Sequence, residues 1–303
     1  MFPKNKKLSL NVSKKFILMM VVLASPVIFI ATSCGSWDKT ATGPTGGQTL
    51  TATAITATFT PTTTATVNPA SCPPVYANPT ALTMGTAGNF VILGEQAISN
   101  SPTSSIIGNI GIYPNGFGSI SGFSLTGPGV PANSPSAYDQ SSQVTGKIYS
   151  ADAASYPITV TSASAGGAIY DMLGAYNAGA GYATNATNTT SLGGLTLERG
   201  VYGFSGANVV VPTALTLCGG PTDVFVFQIT GTLDVSANII LTGGVLPTNV
   251  FWIVAGGATI EAGFNFNGML LSGTAISVLA NSTIVGGLYA QSSVSLISDN
   301  VSQ

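Results

Sequence analysis

Apolar and small polar residues alternate in short bursts along the second half of the chain, and the bursts recur. Around Leu215, Leu233, Ala258, Ile276 and Val294 the chain reads Thr213-Ala-Leu-Thr216-Leu217, Gly231-Thr-Leu-Asp234-Val235, Gly256-Gly-Ala-Thr259-Ile260, Thr274-Ala-Ile-Ser277-Val278 and Ser292-Ser-Val-Ser295-Leu296. The five centres are 18, 25, 18 and 18 residues apart. A second column, Phe227, Trp252, Leu270 and Leu288, keeps step at 25, 18 and 18. Strand-like alternation at a period of about 20 residues predicts a stack of coils, each contributing one strand per side. The outward positions of the first column are Thr, Ser, Ala and Gly, with Asp234 the exception. The longer step predicts a seven-residue surface loop somewhere across two rungs.

The rest of the chain punctuates this pattern. Asn89-Phe-Val-Ile-Leu-Gly94 reads as a strand, and Ser105 to Ile112 alternates in the same style before a turn at Pro114-Asn-Gly. Residues 119–160, rich in Gly, Pro and Ser, read as loops. The period then changes: Ala165, Ile169, Met172, Leu173 and Tyr176 line one face of a helix. Ser162 or Ser164 is placed to cap its start, and Gly179 and Gly181 to stop it. Asp171 is its one charge, so the helix is expected to lie on the sheet with little of its surface in water. Paired glycines at 193–194, 219–220, 243–244, 256–257 and 286–287 mark tight turns or close packing.

Composition and charge narrow the function. Charged residues are 6% of the chain and hydrophobic ones 45%, ample for a core. Six lysines precede residue 40; beyond it, Lys147 and Arg199 face nine carboxylates. No basic stripe is left for phosphates, which excludes a nucleic-acid partner. With no histidine and with scattered acids, neither a paired-carboxylate site nor a metal cluster can be built, so an enzyme is not expected and no cofactor is implied. Glu198-Arg199 reads as a structural ion pair.

Residues 1–33 read as an export signal, with lysines before a 16-residue apolar run from Phe16 to Ala31. The stretch Ala31-Thr-Ser-Cys34 resembles a bacterial lipobox, with Ala31 where that motif has Leu, so Cys34 is the candidate lipidation site. Plain secretion and an uncleaved anchor are the alternatives, and all three place the chain outside the cytoplasm. Residues 34–80, rich in Thr and Pro, read as a linker, and 81–303 as the folded domain. Cys72 and Cys218 remain as a pair able to form a disulfide in an oxidising compartment, two separate thiols being the other reading.

Seven separated motifs share a likeness. Ala87-Gly-Asn-Phe-Val-Ile-Leu-Gly94, Ile107-Gly-Asn-Ile-Gly-Ile112, Ser142 to Asp152, Gly194 to Tyr202, Thr222 to Ile229, Asn249-Val-Phe-Trp-Ile-Val254 and Gly287-Leu-Tyr-Ala-Gln291 resemble the microbial ice-binding proteins of the DUF3494 type. The resemblance implies a mainly β fold: a discontinuous right-handed β-solenoid of triangular section with one long α-helix packed alongside. It implies a protein that binds ice through a flat face and inhibits ice growth and recrystallisation. Its partner is ice or ordered water, a membrane enters only through the lipid anchor, and a monomer is expected. The family's Thr-Ala/Gly-x-Thr/Asn pattern is met at Thr213-Ala-Leu-Thr216 and nearly so at Thr274-Ala-Ile-Ser277. The ice-contacting candidates are Thr213, Thr216, Thr232, Asp234, Gly257, Thr259, Thr274, Ser277, Ser293 and Ser295. Asp234 is either a local defect or the edge of the face.

Short hydroxyls and methyls repeating about every 4.8 Å up the rungs and about 6.7 Å along a strand form a grid of ice-like dimensions. Threonine has few rotamers, so little entropy is lost when water orders against it. A surface adhesin or structural solenoid without ice activity is the competing class. An adhesin should expose aromatic platforms, whereas Trp252, Phe225 and Phe227 stand in apolar runs that read as core.

Overall fold

A computed structural model describes residues 72, 76–127, 138–151, 166–187, 190–206 and 208–303. The expected export signal, lipidation at Cys34 and linker up to residue 71 lie outside the described residues, as do Ser162, Ser164 and Ala165. The described part is mainly β with one α-helix. Its strands form a 12-stranded, a seven-stranded and a three-stranded sheet. The named strand pairings are parallel throughout, save for Asp139–Ser141 against Val144–Tyr149.

The rungs that begin at Val209 and Leu233 visit the three sheets in turn. Leu233–Val235 lies in the seven-stranded sheet, Ile239–Thr242 in the three-stranded one, and Val250–Val254 in the 12-stranded one. The chain then returns to the first sheet at Ala258–Ile260. Inward side chains stack rung upon rung. Tyr202, Phe227, Trp252, Leu270, Leu288 and Ile92 are register partners in the 12-stranded sheet. Phe227 and Trp252 stack with ring centroids 4.0 Å apart, and Tyr202 and Phe227 at 5.3 Å. Val209, Leu233, Ala258, Ile276, Val294 and Ile98 form the facing column of the same buried core.

Loop placement explains the uneven steps. Between Thr242 and Val250 the chain makes an excursion through Gly243–Asn249, the expected seven-residue insertion. The rung before it carries a comparable connection from Cys218 to Phe225. The next two rungs have none: Asn265–Ser272 and Thr283–Ala290 run straight from one side to the next, bending at Gly268 (φ 129°) and Gly286 (φ 140°). An L-residue rarely adopts this conformation. At Gly286 a Cβ would also strike the carbonyl oxygen of Gly268.

The chain is not stacked in sequence order. Phe90–Gly94 pairs with Thr283–Ala290, Ala97–Asn100 with Ser293–Leu296, and Ser105–Ile107 with Asn300–Ser302. The N-terminal strands therefore extend the C-terminal end of the stack. Residues 119–160 are not all loop: Ile120–Ser121 and Val144–Tyr149 add further strands. A chain of buried and part-buried hydrogen bonds crosses the junction. Asn100 Nδ2 donates to Gln143 Oε1 (2.6 Å), Ser104 Oγ to Asn100 Oδ1 (2.7 Å), Asp299 N to Ser104 Oγ (2.9 Å) and Ser282 N to Asp299 Oδ1 (2.9 Å).

The helix Ala168–Ala180 joins the two blocks and lies on the outer surface of the 12-stranded sheet. It buries Ala168, Ile169, Met172, Ala175 and Gly179 in a second apolar cluster with Val226, Phe251, Ile253, Met269, Leu271 and Tyr289. Its N-cap is Gly167, with no side-chain cap. Asp171 is not a solvated charge: it accepts a 2.7 Å hydrogen bond from Thr86 N. At the other end Gln228 Nε2 donates to Gly179 O (2.7 Å) and Tyr182 O (2.8 Å), satisfying carbonyls that a helix terminus leaves open. The helix is more exposed than its charge count suggests, with Tyr170 at 46% and Gly174, Asn177 and Ala178 outward. Arg199 pairs with Asp223 (2.9 Å), 24 residues on, rather than with its neighbour Glu198 in the turn between Thr196–Leu197 and Gly200–Phe204.

Candidate functional site

Of the three sheets, the 12-stranded one is covered on its outer side by the helix and the turn Gly85–Asn89. The three-stranded one is uneven: Thr196, Thr216 and Ile240 are neighbours, and Ile240 stands 42% exposed. The strands that carry this side on, Asn265–Phe266 beyond Ile239 and finally Ser105–Ile107, end in Ile107 at 57% exposure. The seven-stranded sheet has neither cover nor protrusion along its middle.

Two outward columns run up that sheet. The first is Val210, Asp234, Thr259, Ser277, Ser295, Ser99 and Ser121, in unbroken parallel register. The second stands one residue before the core column: Thr232, Gly257, Ala275, Ser293 and Ala97, the last two being register partners across the junction of the two blocks. Every position from Thr259 upward is Ser, Thr, Ala or Gly. Successive rungs repeat at about 4.8 Å and the two columns stand about 6.7 Å apart, so the surface is a two-dimensional array of short groups. Beneath each group a fully buried residue, such as Ile276, Val294 or Ile98, fixes the backbone from inside.

The structure brings together Thr232, Asp234, Gly257, Thr259, Ser277, Ser293 and Ser295 from the expected set. Thr274 is exposed but stands one residue before the array, whose member on that rung is Ala275. Thr213 and Thr216 are elsewhere. Thr216 pairs with Ile240 and Thr196 in the three-stranded sheet, and Thr213 lies in the connection leading to it. The partner of Leu233 is Val209, not Leu215, a step of 24 residues. Leu215 matched at 18 because the loop between Cys218 and Phe225 lengthens this rung by about the distance from one side to the next.

Ala97, Ser99, Ser121, Val210 and Ala275 escaped the sequence reading. A signal for the first two was present: Ala97-Ile-Ser99 repeats the triplet Ala275-Ile-Ser277. At the lower end, Asp234 Oδ1 is shielded and lacks a hydrogen-bond partner among the described residues. Glu95, beside the upper rim, is partly buried, and burial raises its pKa above the usual carboxylate value. No group of three or more His, Cys, Asp or Glu residues comes together among the described residues.

This geometry has relatives. A family model described as ice-binding-like matches residues 92–302. The chain belongs to the ice-binding-like family. An ice-binding protein of Flammulina populicola is 40% identical over 227 residues, covering 73% of this chain and 88% of the relative. One from a Colwellia species is 36% identical over 228 residues, covering 73% and 83%. Among solved structures, a glycosylated ice-binding protein (LeIBP) from Arctic yeast aligns with a TM-score of 0.68 at 32% identity, over 75% of this chain and 96% of that one. The DUF3494 domain of Shewanella frigidimarina ice-binding protein 1 aligns at 0.65 and 30%, over 75% and 99%. In the first outward column of this member serine outnumbers threonine.

Proposed function

We propose that this ice-binding-like chain adsorbs to ice through its seven-stranded sheet and restrains ice growth and recrystallisation. The observation that carries the reading is the pair of outward columns from Thr259 to Ser121, small, uncharged and in continuous register. Water held by such an array sits at fixed spacings before any crystal arrives. Roughly ten groups, each contributing about 1 kcal/mol, suffice for tight attachment. Growth fronts then bulge between bound molecules, and their curvature lowers the local freezing point. The action is adsorption without catalysis.

The three sheets support a finer reading of the fold as a right-handed β-solenoid of triangular section, its order interrupted where the N-terminal strands stack on the C-terminal end. The apolar run before Cys34 supports export and a lipid-anchored form at the cell envelope, with the domain acting as a monomer.

The test is direct. The purified chain should facet growing ice crystals and hold grain size in a recrystallisation assay. Ser277→Tyr should abolish both, and Thr216→Tyr, on another side, should leave both intact. Ice that grows unmodified in the presence of folded protein removes the reading.

A further inference from the structure

The chain reaches the domain along one edge and is fastened there. Cys72 is joined by a disulfide to Cys218, at the end of Leu215–Cys218. Asn78 Nδ2 donates to Thr222 O (2.9 Å), and Val224 N donates to Asn78 Oδ1 (2.9 Å). Arg199 donates from Nε to Tyr76 O (3.1 Å) while its Nη1 pairs with Asp223 (2.9 Å). The ring of Tyr76 meets that of Tyr202 edge-on at 6.2 Å. Residues 76–80, read from sequence as linker, are thus part of the folded domain.

Cys218 ends a strand of the three-stranded sheet, and Thr222, Asp223 and Val224 belong to the connection from it to the 12-stranded sheet. Since this rung passes from the seven-stranded sheet at Val209–Val211 to the three-stranded sheet at Leu215–Cys218 and the 12-stranded sheet at Phe225–Ile229, the connection is the corner that the seven-stranded sheet does not share. We propose that this strap is a mounting point. A molecule held from its N-terminal side presents the small-residue array away from its support, and so joins that support to ice. The proposal rests on the ice-binding reading above and adds an adhesive role to it.

The mechanics follow from which bonds carry load. Tension arriving from residues before Cys72 would otherwise open the Tyr76, Asn78 and Thr80 hydrogen bonds one after another, since each is a single contact along a peeling line. The disulfide instead delivers it to a strand paired on both sides, with Thr196–Leu197 and Ile239–Thr242. Those ladders are loaded together.

The experiment uses the purified chain biotinylated at its N-terminus and bound to streptavidin beads, which are then passed over an ice surface under flow. Beads held this way should be retained, and beads carrying Ser277→Tyr chain held the same way should not be, because the array that meets ice is blocked. Cys72→Ser with Cys218→Ser should keep the free chain's ice-shaping activity while retention time under flow falls at least severalfold. Reducing agent applied to beads already on ice should shorten their retention to the same extent, which removes refolding from the comparison. Free chain that shapes ice while N-terminally held beads slide off overturns the mounting role. Retention unchanged in both the double variant and the reduced beads overturns the load-bearing role of the disulfide. Free chain that leaves ice unshaped overturns the underlying reading instead.

Discussion

Ile98 lies directly opposite Val294 in parallel register, so a strand from the start of the domain continues a column that ends near the C-terminus. The surface above this pair is therefore assembled from both ends of the chain. Ser99 and Ser295 are partners on it just as Ser277 and Ser295 are.

Ser99→Tyr should accordingly weaken recrystallisation inhibition by about tenfold or more, as a bulky ring lifts the array from a flat crystal. Its thermal unfolding should shift little, because surface changes usually stay within about 0.5 kcal/mol. Thr213→Tyr should leave the activity unchanged. Parallel grain-growth assays and circular-dichroism melts on the two variants decide it, and equal losses in both would place the contact surface on another side.

Trp252 is fully buried between Phe227, Leu270 and Phe266. Trp252→Ala should cost about 3–5 kcal/mol through lost burial and a residual cavity. Part of that cost is the stacking with Phe227, of order 1 kcal/mol. Denaturant unfolding of the two proteins measures the difference; a loss under about 1 kcal/mol would mean the aromatic column is not what holds the rungs together.

Asp299 is buried at the junction, and desolvation pushes its carboxyl up to about 6 despite hydrogen bonds donated by Ile297 N and Ser282 N. A carboxyl with a folded-state pKa above its unfolded value holds its proton more tightly when folded. Its contribution is thus greatest below about pH 4, declines as pH rises to about 6, and then levels off. The span corresponds to at most about 3 kcal/mol. Melting temperature followed from pH 4 to pH 7 should fall across this window, and Asp299→Asn should flatten the fall. A slope that persists in that variant assigns it to other carboxyls, Glu95 first among them.

Gly286→Ala should destabilise the domain by more than about 2 kcal/mol, combining an unfavourable φ with a collision against Gly268 O. Gly263→Ala also meets positive φ but has open space, and should cost less. Comparing their unfolding midpoints separates crowding from backbone strain; equal costs would assign the whole effect to φ.

What could be read from the sequence was whatever repeats at constant spacing. Leu233, Ala258, Ile276 and Val294 align, as do Phe227, Trp252, Leu270 and Leu288, because those rungs differ only by the Gly243–Asn249 insertion. Leu215 falls into the same 18-residue step because two effects cancel: a longer rung and a shift of one side. Ala97-Ile-Ser99 was hidden for another reason. Its partner Ser293–Leu296 lies almost 200 residues on, and no local periodicity encodes so distant a pairing. Side-chain choice at the strap was equally non-local, with Arg199 reaching past Glu198 to Asp223.

The order in which strands stack also has a consequence for biosynthesis. Phe90–Gly94 emerges early, yet the edge against which it aligns, Ile92 beside Leu288, is among the last parts translated. The first block must wait without its template while some two hundred further residues are made. The stack can therefore close only once both ends of the domain are available to one another.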